Sequence, residues 1–119
     1  MTVESDCLFC RIAAGEMGTR IYEDDQVAAF EDISPQAPTH TLVVPREHLG
    51  SSRDLSADRE ALAGRLLTVA ARVAADKGLD SYRLVINCGP SAGQSVPHLH
   101  LHLRLLHKSH NQSHRPEGF

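Results

Sequence analysis

Residues 97–106 read Pro-His-Leu-His-Leu-His-Leu-Arg-Leu-Leu, which sets three histidines at strict two-residue spacing. In a strand, alternate side chains point to opposite faces. Leu99, Leu101, Leu103 and Leu105 therefore share one face, and His98, His100, His102 and Arg104 share the other. At a rise of about 3.3 Å per residue the imidazoles follow one another every ~6.5 Å. Imidazole titrates near neutrality, so a row of three beside a cleft offers a nucleophile, a general acid or base, and a cationic partner for phosphate. The ordinary alternative is a half-exposed polar face that binds metal adventitiously; the strict alternation with leucine favours a built site.

Two further groups bear on chemistry. Cys7 and Cys10 form a Cys-x-x-Cys that can meet one ion from a helix end, and a tetrahedral zinc site would need two more ligands, for which His40, His48 and one histidine of the row are the candidates. A redox dithiol is the rival, although the βαβ setting expected of such motifs is absent, and two unligated thiols are a third reading. Gly93-Gln94-Ser95-Val96, just before the histidines, supplies backbone N–H groups and the Ser95 hydroxyl, donors suited to charge developing on a phosphoryl group. By itself such a loop is a plain connector; the histidines beside it give it weight.

These residues need a scaffold, and the periodicities supply one. Leu62, Leu66, Val69 and Val73, with Ala63, Ala70 and Ala74 beside them, predict an amphipathic helix of about twenty residues that Ser56 can cap and Gly78 can end. Short apolar runs at 20–22, 27–30 and 39–45 predict three strands, the first two joined by the acidic turn Glu23-Asp24-Asp25. Two more strands are predicted at 82–88 and 97–106, linked by the breaker-rich segment 89–95, and a short helix at 7–14. Strands adjacent in sequence without alternating helices predict an α+β fold with a sheet of about five mostly antiparallel strands. Cys88 reads as core. Asn87, on the strand face of Val85 rather than that of Leu84 and Ile86, places an amide at a strand end beside the histidines.

Size and composition narrow the function classes. The 119 residues, 41% hydrophobic and 23% charged, suit one independently folding domain. A net charge of -3 with both signs interspersed leaves no basic field for nucleic acid. The acidic N-terminal segment and the lack of a long uncharged apolar run predict neither signal peptide nor membrane span, hence a cytoplasmic protein. Three cysteines, an odd number, fit a reducing compartment. Eight histidines are the unusual entry in the composition.

The chain resembles the histidine triad (HIT) nucleotide-binding proteins, whose signature is His-φ-His-φ-His-φ-φ with φ apolar. His98-Leu99-His100-Leu101-His102-Leu103 fits it, and Arg104 departs from it at the last position. Residues 30–40 (Phe-Glu-Asp-Ile-Ser-Pro-Gln-Ala-Pro-Thr-His), Asn87 and Gly93-Gln94-Ser95-Val96 are similar too, so the resemblance spans roughly 7–104 and is nearest the small purine nucleoside phosphoramidases. It implies a HIT-like fold over residues 1–106. It implies that His100 attacks the α-phosphorus of purine nucleoside 5′-phosphoramidates or related conjugates, forms a nucleotidyl-histidine, and that water releases the monophosphate. His98, His102 and Ser95 would assist, with His102 holding a phosphate oxygen. Asp32 would accept from the ribose hydroxyls, Phe9, Ile12, Phe30 and Ile33 would wall the base, and Asn87, Gly93, Gln94, Ser95 and Val96 would line the phosphate. For Phe30 and Ile33, core packing is the competing role. The resemblance also implies structural zinc on Cys7, Cys10, His48 and His98, and a homodimer. If His98 binds zinc, it serves His100 by orientation and not by proton relay.

Residues 104–119 match nothing in the family, where this segment contributes to the dimer and to the leaving-group side of the site. His107, His110 and His114 have helical spacing, yet a polar tail over 107–119 is the expectation. Two other functions follow from that departure: a nucleotide-binding module with little turnover, or a dinucleoside polyphosphate hydrolase.

Overall fold

The computed structural model describes residues 4, 6–33 and 37–105. The boundary expected at 106, the tail 107–119 and its three histidines lie outside the described residues.

Five strands form one antiparallel sheet: β1 (Tyr22–Glu23), β2 (Val27–Glu31), β3 (Thr39–Pro45), β4 (Arg83–Ile86) and β5 (Leu101–Leu105). Their spatial order is β1-β2-β3-β5-β4, so the last strand in sequence lies between β3 and β4. The short helix α1 (Leu8–Ala13) covers one face and the long helix α2 (Glu60–Asp76) the other. Among the described residues, no helix is long and apolar enough to cross a membrane.

The two faces are written into the strands by alternation. Val27, Ala29, Val43, Leu101 and Leu103 point to α2, where Leu62, Leu66, Val69 and Val73 meet them. Ala28, Phe30, Leu42 and Val44 point to α1 and meet Phe9, Ile12 and Ala13. Because both faces of β2 and β3 are covered, residues 27–30 of β2 and 42–45 of β3 are continuous apolar runs with no polar alternation. The β1–β2 turn is held by Asp24, whose Oδ1 accepts from the backbone N–H groups of Gln26 and Val27 at 2.8 Å each. Its Oδ2 accepts from Tyr22 and from Arg65 of α2, which ties the sheet edge to the helix.

Several boundaries differ from expectation, each for a physical reason. The long helix starts at Glu60 and not beside Ser56, because Ser56 donates its hydroxyl to the Asp58 carboxylate and a 3-10 turn, Ala57–Arg59, intervenes. Its far end is as read: Gly78, at φ +73°, lets Leu79 N–H reach Ala74 C=O and Gly78 N–H reach Ala75 C=O, both at 3.0 Å. The last strand starts at Leu101, not Pro97. Before it, Leu99 N–H donates to Leu49 C=O at 2.6 Å, so residues 98–100 hang on the loop after β3 and not on the β3 ladder. The side-chain alternation persists regardless: Leu99, Leu101 and Leu103 are buried in the α2 core, whereas Leu105 is half-buried and outside it. The first strand is Tyr22–Glu23 rather than 20–22, and the fourth is Arg83–Ile86 rather than 82–88. Cys88, read as core, is half-buried and donates its thiol to Ser51 Oγ at 3.5 Å.

Leu66, 3% exposed, sits in the centre of the α2 face. Leu66→Ala is expected to lower stability by about 3 kcal/mol, as large-to-small core changes do. Urea unfolding measures it, and a loss below about 1 kcal/mol would show that α2 is not tightly seated.

Candidate functional site

The site forms where the segment 98–100 leaves the sheet and passes under α1. Cys7 is the N-cap of α1: its Sγ accepts from Cys10 N–H at 3.4 Å, which turns both thiols to the same side. Here they meet two imidazoles. His98 Nδ1 lies 3.2 Å from Cys7 Sγ and 3.5 Å from Cys10 Sγ, and His48 Nδ1 lies 3.3 Å from Cys10 Sγ. The four ligand atoms all lie within 4.8 Å of one another, so they could hold a metal ion. His98 Nε2 meets the Pro45 carbonyl at 2.9 Å; an N–H donated there leaves Nδ1 with its lone pair facing the thiols. Burial pushes His98 down to about 4 and the Cys10 thiol up to about 11, so each favours its neutral form in the absence of a cation.

Two residues on, His100 stands on the same side of the sheet, against Phe9 of α1. His100 Nδ1 lies 2.7 Å from the His98 carbonyl. The contact fixes the tautomer: Nδ1 carries the proton and donates it, and Nε2 keeps its lone pair. Phe9 of α1 meets the His100 ring edge-on at 5.1 Å, which fixes the ring plane. The link from His98 to His100 thus runs through a backbone carbonyl and needs no contact between the rings.

His102 completes the row. Its ring centroid is 4.8 Å from that of His100, and its Nδ1 is 2.8 Å from Nε2 of His40, the residue whose Cα faces that of Arg104 across the β3–β5 ladder. Asp32 Oδ2 approaches the same His40 nitrogen at 3.4 Å. Burial, then the electrostatic opposition of the neighbouring His100 ring and the Arg104 guanidinium to a second proton, push His102 down to about 4; burial also lowers His40, against the pull of Asp32. His102 Nε2 is buried and has no hydrogen-bond partner among the described residues.

A cleft of about 210 Å³ opens over this row. Phe9, Ile12, Phe30 and Ile33 wall it, and Asp32, Ser95, Val96, His100 and His102 also line it, so nine of the residues singled out from the sequence come together. Phe30 is 4% exposed and serves the core as well, whereas Ile33, 85% exposed, reaches the cleft from its rim. Asn87, Gly93 and Gln94 do not line it. Gln94 is committed to the loop: Oε1 accepts from Gly89 N–H, and Nε2 donates to the Gly50 and Val96 carbonyls at 2.7 and 2.9 Å. Gly93 has φ +97°, which a side chain would strain, and a Cβ there would sit 3.7 Å from the Asn87 amide.

Leu8, Leu42, His40 and Arg104 were not assigned to the nucleotide site. Leu42 was legible from strand pairing, since it faces Phe30 on one side and His102 on the other. His40 was weighed only as a zinc ligand; the structure places it with Asp32 and His102 and not with the cysteines.

Residues 16–108 match the HIT domain model. The purine nucleoside phosphoramidase of Escherichia coli K12 is 45% identical over 101 residues, covering 82% of this chain and 85% of that protein. Among solved structures, a HIT family hydrolase from Legionella pneumophila superposes with a TM-score of 0.80 at 44% identity, over 83% of this chain and 91% of that one. A histidine triad protein from Clostridium difficile superposes with 0.83 at 41%, over 91% and 96%.

Burial of His102 has a consequence for stability. At pH 7 the ring is neutral in both folded and unfolded chains. As pH falls below the ordinary imidazole value, the unfolded chain takes up a proton that the folded one refuses until about pH 4. Stability is therefore lost across that window, by at most about 3 kcal/mol from this residue. Urea midpoints at pH 7, 5.5 and 4.5 should fall more steeply in the wild type than in His102→Gln; equal slopes would contradict the burial.

Proposed function

Since this chain belongs to the HIT domain family, we propose that it is a nucleotidyl hydrolase or transferase acting on purine nucleoside 5′-phosphoramidates and related nucleotide conjugates. The observation that carries this reading is the hydrogen bond between His100 Nδ1 and the His98 carbonyl, in a cleft lined by both apolar and polar side chains. In the neutral ring it leaves the lone pair on Nε2, the form a nucleophile needs.

The reaction follows from those parts. His100 Nε2 donates its electron pair to the α-phosphorus; the P–N bond to the leaving amine breaks, its electron pair stays on nitrogen, and the amine departs with a proton taken from solvent. Water then attacks the same phosphorus, the bond to Nε2 breaks, the water's proton goes to solvent, and the nucleoside monophosphate leaves. His102 and Ser95 donate to phosphate oxygens as charge grows on them, beside the Val96 backbone; Gly93 and Gln94 spend their backbone N–H groups on the Pro90 and Gly89 carbonyls and so shape the loop that carries Ser95. Asp32 accepts from the ribose hydroxyls, and Phe9, Ile12, Phe30 and Ile33 hold the purine.

Zinc on Cys7, Cys10, His48 and His98 belongs to the same reading. Two thiols and two imidazole nitrogens in one buried cluster are a donor set suited to zinc, and with four protein ligands the ion would lend rigidity and not Lewis acidity. The β4 edge, with Tyr82 and Ile86 each 39% exposed, suits pairing with a second copy as a homodimer, and three free thiols suit the cytoplasm.

Two tests follow. With adenosine 5′-phosphoramidate, His100→Ala is expected to lose AMP release on the order of 10³-fold or more while still binding AMP; wild-type protein that binds AMP without releasing it from the phosphoramidate would overturn the enzyme reading. Elemental analysis is expected to find one zinc per chain, removed by chelation together with part of the thermal stability and absent from His48→Ala. Metal-free protein of unchanged melting temperature would dismiss the zinc.

A further inference from the structure

Arg104 is where this chain leaves the triad pattern, and the reaction above gives it no task. The sheet nonetheless places it inside the histidine site. Its Cα stands opposite that of His40 on β3 and that of Arg83 on β4, and its side chain lies on the face of His102. The guanidinium brings Nη2 to 3.4 Å from His102 Nδ1 and Nε to 3.3 Å from His40 Nε2. Those two nitrogens are themselves 2.8 Å apart, a separation that requires one proton between them.

Which nitrogen owns that proton decides what His102 offers the substrate. Asp32 Oδ2, 3.4 Å from His40 Nε2, attracts the proton to His40, whose N–H then donates to His102 Nδ1. Arg104 Nη2–H brings a second, longer donor to the same lone pair. Arg104 Nε–H is aimed at the same His40 nitrogen, so it opposes the pull of Asp32, and the proton stays on His40 where that pull is the stronger. His102 Nε2, buried and without a partner among the described residues, lies in a residue that lines the cleft.

We propose that Arg104 is a positioning residue. Together with His40 it makes His102 Nδ1 an acceptor of two hydrogen bonds, which holds the ring's single proton on Nε2 as the donor for a substrate phosphate oxygen. The assignment of that donor to phosphate rests on the proposed nucleotide site; the proton arrangement itself does not. The guanidinium also opposes a second proton on the ring. The other charged or titratable groups around the pair are Asp32 and Glu31 at the end of β2, His100 before β5 and Arg83 on β4, while α1 presents the uncharged Phe9. Asp32 and Glu31 pull toward protonation, and Arg104 works against them from the same side as His102.

The test is long-range 1H–15N NMR of the imidazoles in ligand-free protein at its native metal content, titrated from pH 8 to 4.5. Wild-type His102 is expected as the neutral Nε2–H tautomer over most of that range. Arg104→Leu and Arg104→Gln should each raise its protonation midpoint by about one pH unit, a tenfold gain in proton affinity; Arg104→Lys, which keeps the charge, should restore it. The glutamine variant carries the same reading if the leucine variant does not fold. A wild-type proton on Nδ1, or midpoints unchanged in both uncharged variants, would overturn the proposal. No substrate is present, so failure of the phosphoramidase reading would appear separately, in the AMP-release assay.

Discussion

One residue, His98, sets the position of nearly everything around it. Its Nδ1 faces the two cysteines that cap and begin α1, its Nε2 meets the end of β3 at Pro45, and its carbonyl receives the Nδ1 proton of His100. Three separate pieces of chain are thereby tied to one buried ring that is 0% exposed. A nucleophilic imidazole that could spin or change tautomer would present its lone pair only part of the time. The carbonyl removes that freedom without adding a charge to the site. The price is a polar ring in the core, tolerable because both of its nitrogens have partners.

The sheet supports this arrangement by being covered on both faces. α2 buries the leucines that alternate with the histidines, so the histidine side cannot slip by one residue without exposing Leu99, Leu101 and Leu103. α1 is too short to be stable by itself; it is held through Phe9 and Ile12 on the sheet and through the cysteines at its start. Its Phe9 touches Phe30, His98 and His100, so the wall of the cleft and the brace of the His100 ring are one side chain.

Much of this was legible in the sequence where the signal is local. The Leu–His alternation gave the two faces, the four-three-four spacing of Leu62 to Val73 gave α2, and Gly78 gave its end. The polar and apolar walls of the cleft came from the resemblance, residue by residue. What escaped depends on partners distant in sequence. Residues 98–100 look like strand, yet their hydrogen bonds go to Leu49, which no local pattern announces. His40 reads as one more possible zinc ligand until the β3–β5 register sets it against His102. Gln94 looks like a ligand contact because it lies beside Ser95, and only the folded loop reveals its amide bridging Gly89, Gly50 and Val96.

The proposed chemistry rests on a lone pair at His100 Nε2 held ready by a backbone carbonyl. Rapid-quench single turnover with adenosine 5′-phosphoramidate, followed by intact mass and peptide mapping, tests it most directly. The predicted result is a transient adduct of one adenylyl group, located on His100, that forms no more slowly than AMP appears and decays as it is released. AMP formed with no adduct on any histidine, or with the adduct on another residue, would contradict it.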